Sequence, residues 1–426
     1  MKNKTRPVVY LLLCALPVVM TLPLLVTGHT KMKYFFGELA YCLFIVDVLL
    51  GLRPEWIERL IELKKLYCLH GLLAIIAVIG AACHIEMSHL HGFAALLGWG
   101  AFYGAIATVI LAVGFLTSQV LHVPFLGNWI GMLRKRLAQI GITREMVLLV
   151  HMLSPLIVVM VFFHVVLIHK FNRLVWFMVF FCGYFALFIL GYAYWGIYQR
   201  LIVARYTVTR IKRETATVFK LTLKHAKGDI ITAQGGQFVF IHAPFAMPNE
   251  YHPFSVLQIN HDGTELTLGI KQVGDFTTKL AHVAPGTQIK IRGVYGHFTA
   301  PTDDTPILAV AGGIGITPCV GMLQSLPHNQ TGYLIWSVRS REDACFSEEL
   351  TQLRVTHPHV QVILHDDSEL GYLDKEFLIR QIPELKQQRP LNCFICGPAP
   401  MMTSVEQQLK AMQVPDRRIL DEGFIF

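Results

Sequence analysis

Six long apolar segments in the first half of the chain limit its fold more than any other feature. Each has about 20 mostly apolar residues, the length that an α-helix needs to cross the hydrocarbon core of a bilayer. Only 15% of the residues are charged, whereas soluble chains carry about 25%. We therefore predict a membrane domain of six helices. The segments are roughly 8–27, 34–52, 66–86, 96–118, 147–169 and 174–198.

The first segment also resembles a signal peptide, because basic residues precede it. It is longer than the apolar region of a signal peptide, contains Pro17 and Pro23, and lacks a small-residue cleavage site. We interpret it as a retained helix.

The positive charge of the chain belongs to this apolar half. Residues 1–200 contain 16 Lys and Arg against 7 Asp and Glu, whereas residues 201–426 contain 21 against 22. Lys and Arg concentrate in cytoplasmic loops, and their distribution predicts a multi-pass protein of the cell membrane with both termini in the cytoplasm. The lipid bilayer, not nucleic acid, is then the partner of the basic residues. The connections 54–66 and 126–138 mix basic residues with Trp and Leu and are predicted to lie in the headgroup layer.

Four histidines lie inside two of these segments. His70 and His84 are 14 residues apart in the third segment, and His151 and His164 are 13 apart in the fifth, so each pair spans about 20 Å along its helix. The two segments cross in the same direction, which places His70 level with His151 near the cytoplasm and His84 level with His164 near the outside. Each level can supply both axial nitrogens to a haem iron. We predict two b-type haems.

The spacing in the fifth segment does not by itself put both rings on one face. Thirteen residues at 100° each miss a common face by about 140°, so the helix needs a kink or bulge, and Pro155 is a candidate cause. The alternative is that these histidines are satisfied by Ser hydroxyls or backbone carbonyls. For Glu38 and Asp47 in the second segment, we expect snorkelling or a structural partner.

The second half of the chain has a different pattern. Short alternating runs at 217–223, 237–243, 265–271 and 287–293, separated by turn residues, predict an antiparallel barrel or sandwich of roughly 100 residues. From Pro306 onward, strands alternate with glycine turns and helices, which predicts a parallel α/β nucleotide-binding domain. The predicted domains are 1–202, 203–302 and 303–426. The pair Cys393 and Cys396 has no second CxxC pair, and a zinc or redox role is the weaker interpretation.

A glycine turn at 311–318 (AGGIGITP) follows a buried strand and opens a helix. Glycines let the backbone approach a pyrophosphate, whose charge is stabilised by free N–H groups at the start of the helix. Tight packing alone would also explain such glycines. The buried strand before the turn and the helix after it strengthen the interpretation as a dinucleotide site.

Several motifs in series resemble those of one family. They are HPFS at 252–255, IKQVGDFTT at 270–278, GVYG at 293–296, GGIGITP at 312–318, CGP at 396–398 and the terminal Phe426. Together they resemble the ferredoxin-reductase-type dehydrogenase of the NADPH oxidase and ferric reductase superfamily. The apolar half resembles the six-helix domain of the same superfamily, and the resemblance covers nearly the whole chain.

The resemblance implies FAD and NADPH as cofactors, with NADH as the alternative. In the HPFS motif, Phe254 would lie against the isoalloxazine, Ser255 would hydrogen-bond near flavin N5, and His252 would contact the ribityl or phosphate side. Pro253 belongs to the same flavin-binding motif. The FAD pyrophosphate would be held by Lys271, Gly274, Thr277 and Thr278. The nicotinamide dinucleotide would be held by Gly312, Gly313, Gly315, Thr317 and Pro318.

Further residues are assigned by the same resemblance. Cys396, Gly397 and Pro398 would lie beside the nicotinamide, and Phe426 would stack on the flavin until the nicotinamide displaces it. Ser255, Cys396 and Phe426 are therefore the candidate catalytic residues. Arg339 and Arg341 follow the second strand of the nucleotide domain, where cations favour a 2′-phosphate.

The expected function is a transmembrane NADPH oxidase that reduces O2 to superoxide outside the cytoplasm, without an obligatory cytosolic activator. Reduction of a ferric or cupric chelate, or delivery of electrons to an external partner protein, are the alternatives. The connection 86–91, with His29, is a possible metal site or a solvated loop.

Overall fold

The computed structural model describes residues 31–52, 63–88, 90–116, 144–198, 203–247 and 250–423, with a few isolated positions elsewhere before residue 143. The chain divides into two compact units, with the boundary between Tyr198 and Gln199. Most of the first predicted segment and most of the two predicted headgroup connections lie outside the described residues.

Five helical segments of the first unit are long and apolar enough to cross a membrane by length and composition. They agree with the second to sixth predicted segments to within a few residues at each end. The described helices of this unit are α1 Met32–Gly51, α2 Leu63–Glu86, α3 Phe93–Leu116, α4 Arg144–His151, α5 Ser154–Val166, α6 His169–Asn172 and α7 Val175–Ile197.

Helix α1 is the most enclosed of these five segments. Of its most apolar stretch, 61% is buried, against 11–28% in the other four segments, and it packs against α2, α5 and α7. The side chains of Glu38 and Asp47 are buried with it, each residue having 6% of its surface exposed. Of the two expected alternatives, snorkelling or a structural partner, burial excludes snorkelling for both carboxylates, and Asp47 has a structural partner in His70.

The fifth predicted segment is interrupted, as Pro155 predicts. Helix α4 ends at His151, Met152 and Leu153 form a turn, and α5 begins at Ser154 with Pro155 in its first turn. Proline has no backbone N–H and clashes with the preceding turn inside a helix, but it fits the first turn well. The interruption separates the two histidines of this segment onto two helices.

The first part of the second unit is a closed antiparallel barrel of six strands in the order β1-β2-β5-β4-β3-β6. This confirms the predicted barrel. Its strands are β1 Ala204–Arg213, β2 Val218–Lys227, β3 Phe238–His242, β4 His252–Ile259, β5 Glu265–Lys271 and β6 Gln288–Tyr295, with helix α8 Asp275–Leu280 after β5.

The second part is a parallel five-stranded sheet in the order β11-β10-β7-β8-β9, as the sequence predicts. The strands are β7 Ile307–Gly312, β8 Gly332–Val338, β9 Val360–Asp366, β10 Asn392–Cys396 and β11 Ile419–Glu422. The helices are α9 Ile316–Leu323, α10 Ser347–Thr356, α11 Asp367–Leu370, α12 Lys375–Gln381, α13 Pro383–Lys386 and α14 Ala399–Ala411.

Barrel and sheet touch through backbone atoms. A Cβ on Gly235 would lie 1.6 Å from the carbonyl oxygen of Gly321 on α9, and a Cβ on Gly321 would lie 2.7 Å from the carbonyl oxygen of Val256 on β4. No real side chain fits at such distances. Glycine at these positions lets α9, which follows the glycine turn, pack directly against β4, which carries the HPFS motif.

A buried lysine adds an ionic contact between the same two parts. Lys220 Nζ on β2 lies 2.6 Å from a carboxylate oxygen of Glu349 and 3.1 Å from one of Glu348, both on α10, and 3.2 Å from Glu214. Burial alone would lower the pKa of Lys220, but these carboxylates raise it above its ordinary value. The ammonium is therefore charged and offsets carboxylates that would otherwise be buried alone.

Replacing Lys220 by Met tests this contact. Removing one partner of a buried ion pair typically costs about 3 kcal/mol or more, which corresponds to a fall in melting temperature on the order of 10 °C for a domain of this size. Lys212, its cross-strand neighbour, is the matched control, because its side chain is 32% exposed and contacts the exposed Glu348. Thermal unfolding followed by tryptophan fluorescence should show a large shift for Lys220→Met and a small one for Lys212→Met; equal shifts would contradict the assignment.

Candidate functional site

The four histidines of the helical unit come together as two pairs. The ring centroids of His70 and His151 are 5.8 Å apart, with the ring planes at 83°. Those of His84 and His164 are 6.3 Å apart, with the planes at 89°. These are the pairs that the sequence spacing predicts, and in each pair one ring comes from α2 and the other from α4 or α5.

Hydrogen bonds hold the rings of one pair in place. His84 Nδ1 is 2.6 Å from the carbonyl oxygen of Lys33, and His164 Nδ1 is 2.7 Å from that of Ala94. A carbonyl accepts only, so each Nδ1 carries the proton and each Nε2 has a free lone pair. This is the tautomer that metal-ligating histidines adopt.

The partners of the other pair differ from these. His70 Nδ1 lies 2.7 Å from the Asp47 carboxylate oxygen Oδ1 and 3.2 Å from the Asp47 backbone carbonyl. His151 Nδ1 is buried and has no hydrogen-bond partner among the described residues. The sequence interpretation had not assigned Asp47 to a histidine.

Two glycines leave room for these rings. A Cβ on Gly37 of α1 would lie 2.7 Å from His84 Nδ1, and a Cβ on Gly98 of α3 would lie 2.9 Å from the ring of His164. A side chain at either position would push the ring aside. The helices that do not carry the histidines are therefore also shaped around them.

The donor set fits a metal that brings its own equatorial ligands. In the part of the chain that the structure describes, no group of three or more His, Cys, Asp or Glu side chains could hold a metal ion, so each pair offers two imidazoles alone. With metal–nitrogen bonds of about 2 Å and ring centres roughly 1 Å beyond the nitrogens, two axial imidazoles have centroids about 6 Å apart. The observed separations match this value.

The HPFS motif forms the start of β4. His252 Nε2 is 3.0 Å from Glu250 Oε2, and its ring stacks on Phe276 with centroids 4.0 Å apart. Phe254 lies parallel to the same ring at 6.0 Å, while Ser255 is buried and pairs with Phe238 of β3. The HPFS segment and the VGDFTT segment are thus brought together by Phe276.

The predicted pyrophosphate segment follows β5. Lys271, half-buried, ends that strand, and Thr278 is exposed in the first turn of α8. Thr277 is different, because its Oγ1 accepts from the N–H groups of Val273 and Gly274 at 3.1 and 3.2 Å and donates to the Gly274 carbonyl. Its hydroxyl therefore stabilises the turn rather than pointing outward.

The glycine turn and the CGP turn lie at the same edge of the sheet. Strands β7 and β10 are parallel neighbours with Ala311 opposite Cys396, and a Cβ on Gly315 would lie 2.2 Å from the Cys396 carbonyl oxygen. A Cβ on Gly397 would lie 2.9 Å from the Cα of Gly312. Gly313 has φ +53° and its carbonyl accepts from the Trp336 indole at 2.9 Å.

Two residues of these turns have no exposed surface. Thr317 is completely buried, and its Oγ1 has no hydrogen-bond partner among the described residues. The Cys396 thiol is also completely buried, and burial together with the neighbouring Cys319 raises its pKa well above the ordinary value. It is a protonated thiol rather than a thiolate. Pro318 is buried, Gly397 is half-buried and Pro398 is exposed.

The two arginines after β8 have different surroundings. Arg341 Nη2 is 3.1 Å from Glu369 Oε2, and its Nε is 3.8 Å from Asp366 Oδ2. Arg339 is exposed, and within the described ranges it has no ion-pair partner. Of the two predicted phosphate ligands, Arg339 is therefore the one whose charge is not already matched.

Some sequence assignments cannot be placed and one residue was missed. Phe426, His29 and His89 lie outside the described residues, and His91 is exposed. Glu422, at the end of β11, was not singled out from the sequence, yet its Oε1 would be 2.7 Å from a Cβ on Gly296 of the GVYG segment. Its charge also contributes to the raised pKa of Cys396.

Comparison with known proteins identifies the two parts of the second unit. Residues 203–307 match the family model of an FAD-binding domain, and residues 309–407 match that of an oxidoreductase NAD-binding domain. Similar curated proteins include a flavohemoprotein of Pseudomonas putida, 23% identical over 51% of this chain and 58% of its own length. The ferredoxin reductase component of a 3-ketosteroid-9-alpha-monooxygenase of Mycobacterium tuberculosis is 25% identical over 44% of this chain and 54% of its own.

Among solved structures, the flavohem-like FAD/NAD binding domain of a nitric oxide dioxygenase from Vibrio cholerae covers 52% of this chain and 98% of its own, with 21% identity and a TM-score of 0.44. The chain spans little more than half the length of the two curated relatives named above. From the family matches, the chain carries an FAD-binding domain followed by an NAD-binding domain, and it is an oxidoreductase.

Proposed function

We propose that this chain is a transmembrane NAD(P)H oxidase that moves electrons from cytosolic NADPH through FAD and two b-type haems to O2 on the other side of the membrane, giving superoxide. The observation that carries the proposal is the presence of two facing imidazole pairs, with the separation expected for axial ligands, in the same chain as FAD-binding and NAD-binding domains. Five apolar helices of spanning length provide the setting.

When bound, FAD would convert a hydride from the dinucleotide into single electrons, and haem held by each imidazole pair would carry single electrons. The chain's own residues bind and orient the flavin and the dinucleotide. In this proposal Phe254 supports the flavin ring and Ser255 hydrogen-bonds near its N5. Gly312, Gly313 and Gly315 admit the dinucleotide, and Phe426 stacks on the flavin in its absence.

The protonated Cys396 suits a place beside the nicotinamide. A neutral thiol neither repels the hydride being transferred nor competes as a nucleophile, whereas a thiolate would do both. Burial keeps it in that state. Each axial histidine is held in the neutral tautomer needed for iron by its Nδ1 partner, where one is present.

We place both termini in the cytoplasm, because the basic residues are concentrated in the loops that this topology puts there. The pair His84 and His164 then lies near the outer face and acts last. One NADPH provides two electrons, so it reduces two O2 to two superoxide ions and leaves NADP⁺ and one proton.

A second candidate, reduction of a ferric chelate, is favoured by cations next to the outer pair. Lys33, whose carbonyl accepts from His84, has its Nζ 5.4 Å from the ring centre of Tyr34. Lys170 Nζ donates to the Tyr34 hydroxyl at 3.0 Å. A cationic surface at this position attracts an anionic chelate.

The acceptor can be determined with purified protein, FAD and NADPH, without any cytosolic activator protein. The oxidase proposal predicts reduction of cytochrome c that superoxide dismutase abolishes, because free superoxide is the carrier. No dismutase-sensitive fraction together with rapid reduction of ferric citrate would replace the oxidase with the chelate reductase. No turnover with either acceptor would indicate delivery of electrons to a partner protein.

The haem ligands are tested by comparing two substitutions with a control. His84→Ala removes an axial ligand and should lower the haem content from two per chain to about one. Gly98→Ala should have a similar effect, since its Cβ would overlap the His164 ring. Gly114→Ala is the matched control on the same helix, because nothing lies within 4 Å of its Cβ position. Haem-to-protein ratios and reduced-minus-oxidised spectra give the readout; an unchanged ratio in His84→Ala would count against the ligand set.

The dinucleotide preference is tested at Arg339. Loss of a charged hydrogen bond to a 2′-phosphate costs about 1.5–3 kcal/mol, so Arg339→Ala should raise the KM for NADPH by roughly tenfold or more and leave that for NADH nearly unchanged. Arg341→Ala is the comparison and should have a smaller effect, because Glu369 already neutralises that guanidinium. Equal effects on both dinucleotides would show that Arg339 does not read the phosphate.

A further inference from the structure

Asp47 is a buried carboxylate in an apolar helix, and it contacts one of the four histidines. It lies on α1 with 6% of its surface exposed, and its Oδ1 is 2.7 Å from Nδ1 of His70. A charged group in such surroundings is costly unless it has a partner and is a functional candidate by default. We propose that Asp47 is a positioning residue that lowers the reduction potential of the haem held by His70 and His151 below that of the haem held by His84 and His164. This inference rests on the proposed function.

The two sites differ in the groups that contact their rings. At the outer site, both Nδ1 atoms face neutral backbone carbonyls, those of Lys33 and Ala94. At the inner site, His70 Nδ1 is 3.2 Å from the backbone carbonyl oxygen of Asp47 and also 2.7 Å from its carboxylate oxygen Oδ1, and His151 Nδ1 has no hydrogen-bond partner within the described part of the chain. The carboxylate of Asp47 is thus a negative group in contact with the inner site, whereas Lys33 and Lys170 are the cations next to the outer one.

The carboxylate acts through the imidazole. A carboxylate in contact with Nδ1–H polarises that bond, which increases the electron donation of Nε2 and so raises the basicity of the ligand. A more basic ligand and a nearby negative charge stabilise ferric over ferrous iron, which lowers the potential. The low polarity of the helix interior strengthens both effects relative to water.

The consequence is directional electron transfer. With haem bound at both sites, one electron would pass from the iron held by His70 and His151 to the iron held by His84 and His164, the first being oxidised as the second is reduced. No proton or other reactant is required. A lower potential at the first site makes this step favourable, and the same step without Asp47 would be nearer to balance.

The chain offers a matched control for losing a buried carboxyl. Glu38 lies on the same helix with the same exposure of 6%. It is nine residues from Asp47, which at 100° per residue puts it on the opposite face. The two carboxyls are therefore equally buried but lie on opposite faces of α1, and only Asp47 contacts a candidate haem ligand.

The experiment is a potentiometric titration of the purified holoprotein followed by haem absorbance. Wild type should show two haems with distinct midpoint potentials. Asp47→Asn should shift the more negative potential upward and leave the other unchanged, with both haems retained. Asp47→Glu should restore most of the separation because it restores the carboxylate, and Glu38→Gln should leave both potentials as in wild type.

A substitution of Asp47 that prevents folding does not block the test. In His84→Ala, which keeps Asp47, the remaining haem should titrate at the more negative of the two wild-type potentials. If it titrates at the more positive one, or if Asp47→Asn leaves the separation unchanged, the role of Asp47 is overturned and the two-haem proposal stands. If wild type binds no bis-imidazole haem, both proposals fail.

Discussion

Two pairs of imidazole rings lie about 6 Å apart within one bundle, and several features of the helical unit are explained by that arrangement. On helix α2 the spacing alone places both rings correctly, because fourteen residues bring His70 and His84 back to nearly the same face. In the segment with His151 and His164, the thirteen-residue spacing of an unbroken helix would place one ring on the wrong side. Breaking the helix after His151 and restarting it at Ser154 gives each ring its own orientation.

The same arrangement explains features of helices that carry no histidine. Gly37 on α1 and Gly98 on α3 stand where any side chain would collide with a ring. Their neighbours supply the carbonyl oxygens that accept from Nδ1, at Lys33 and Ala94, four residues earlier in each helix. One turn of helix therefore provides both the space for a ring and its hydrogen-bond acceptor. The repetition of this arrangement on two helices indicates that the rings, rather than general packing, determine those positions.

The sequence predicts the elements with strong periodicity and misses contacts that only the tertiary fold creates. Five apolar segments, the barrel, the parallel sheet and the helix break at Pro155 are recovered, because hydrophobic period and proline geometry are local properties. Strand β4 was not recognised as a strand, since its second residue is a proline and the HPFS segment lacks regular alternation. The contact of Asp47 with His70 joins residues 23 positions apart, and no local pattern encodes it.

Site chemistry was predictable by motif but not atom by atom. Thr277 and Thr317 belong to the expected segments, yet one hydroxyl caps a turn and the other is enclosed. Arg339 and Arg341 are equivalent in sequence, and only the structure shows that acidic residues following β9 neutralise the second. Motifs indicate which segments form the site. Whether a side chain in those segments can bind a ligand depends on whether another group of the protein already occupies it.

Backbone contact between barrel and sheet has a mechanical consequence for the second unit. Gly321 lets α9 approach the Val256 carbonyl of β4, and Gly235, in the connection before β3, leaves room for the Gly321 carbonyl, so a side chain at either glycine would push barrel and sheet apart. Helix α9 starts from the glycine turn and β4 starts from HPFS, so the segments assigned to dinucleotide and flavin are fixed by one interface. Lys220 adds an ionic contact at α10. Hydride transfer requires the two reacting rings to be held within a few tenths of an ångström of a productive geometry, and an interface built from backbone atoms is less deformable than one built from flexible side chains.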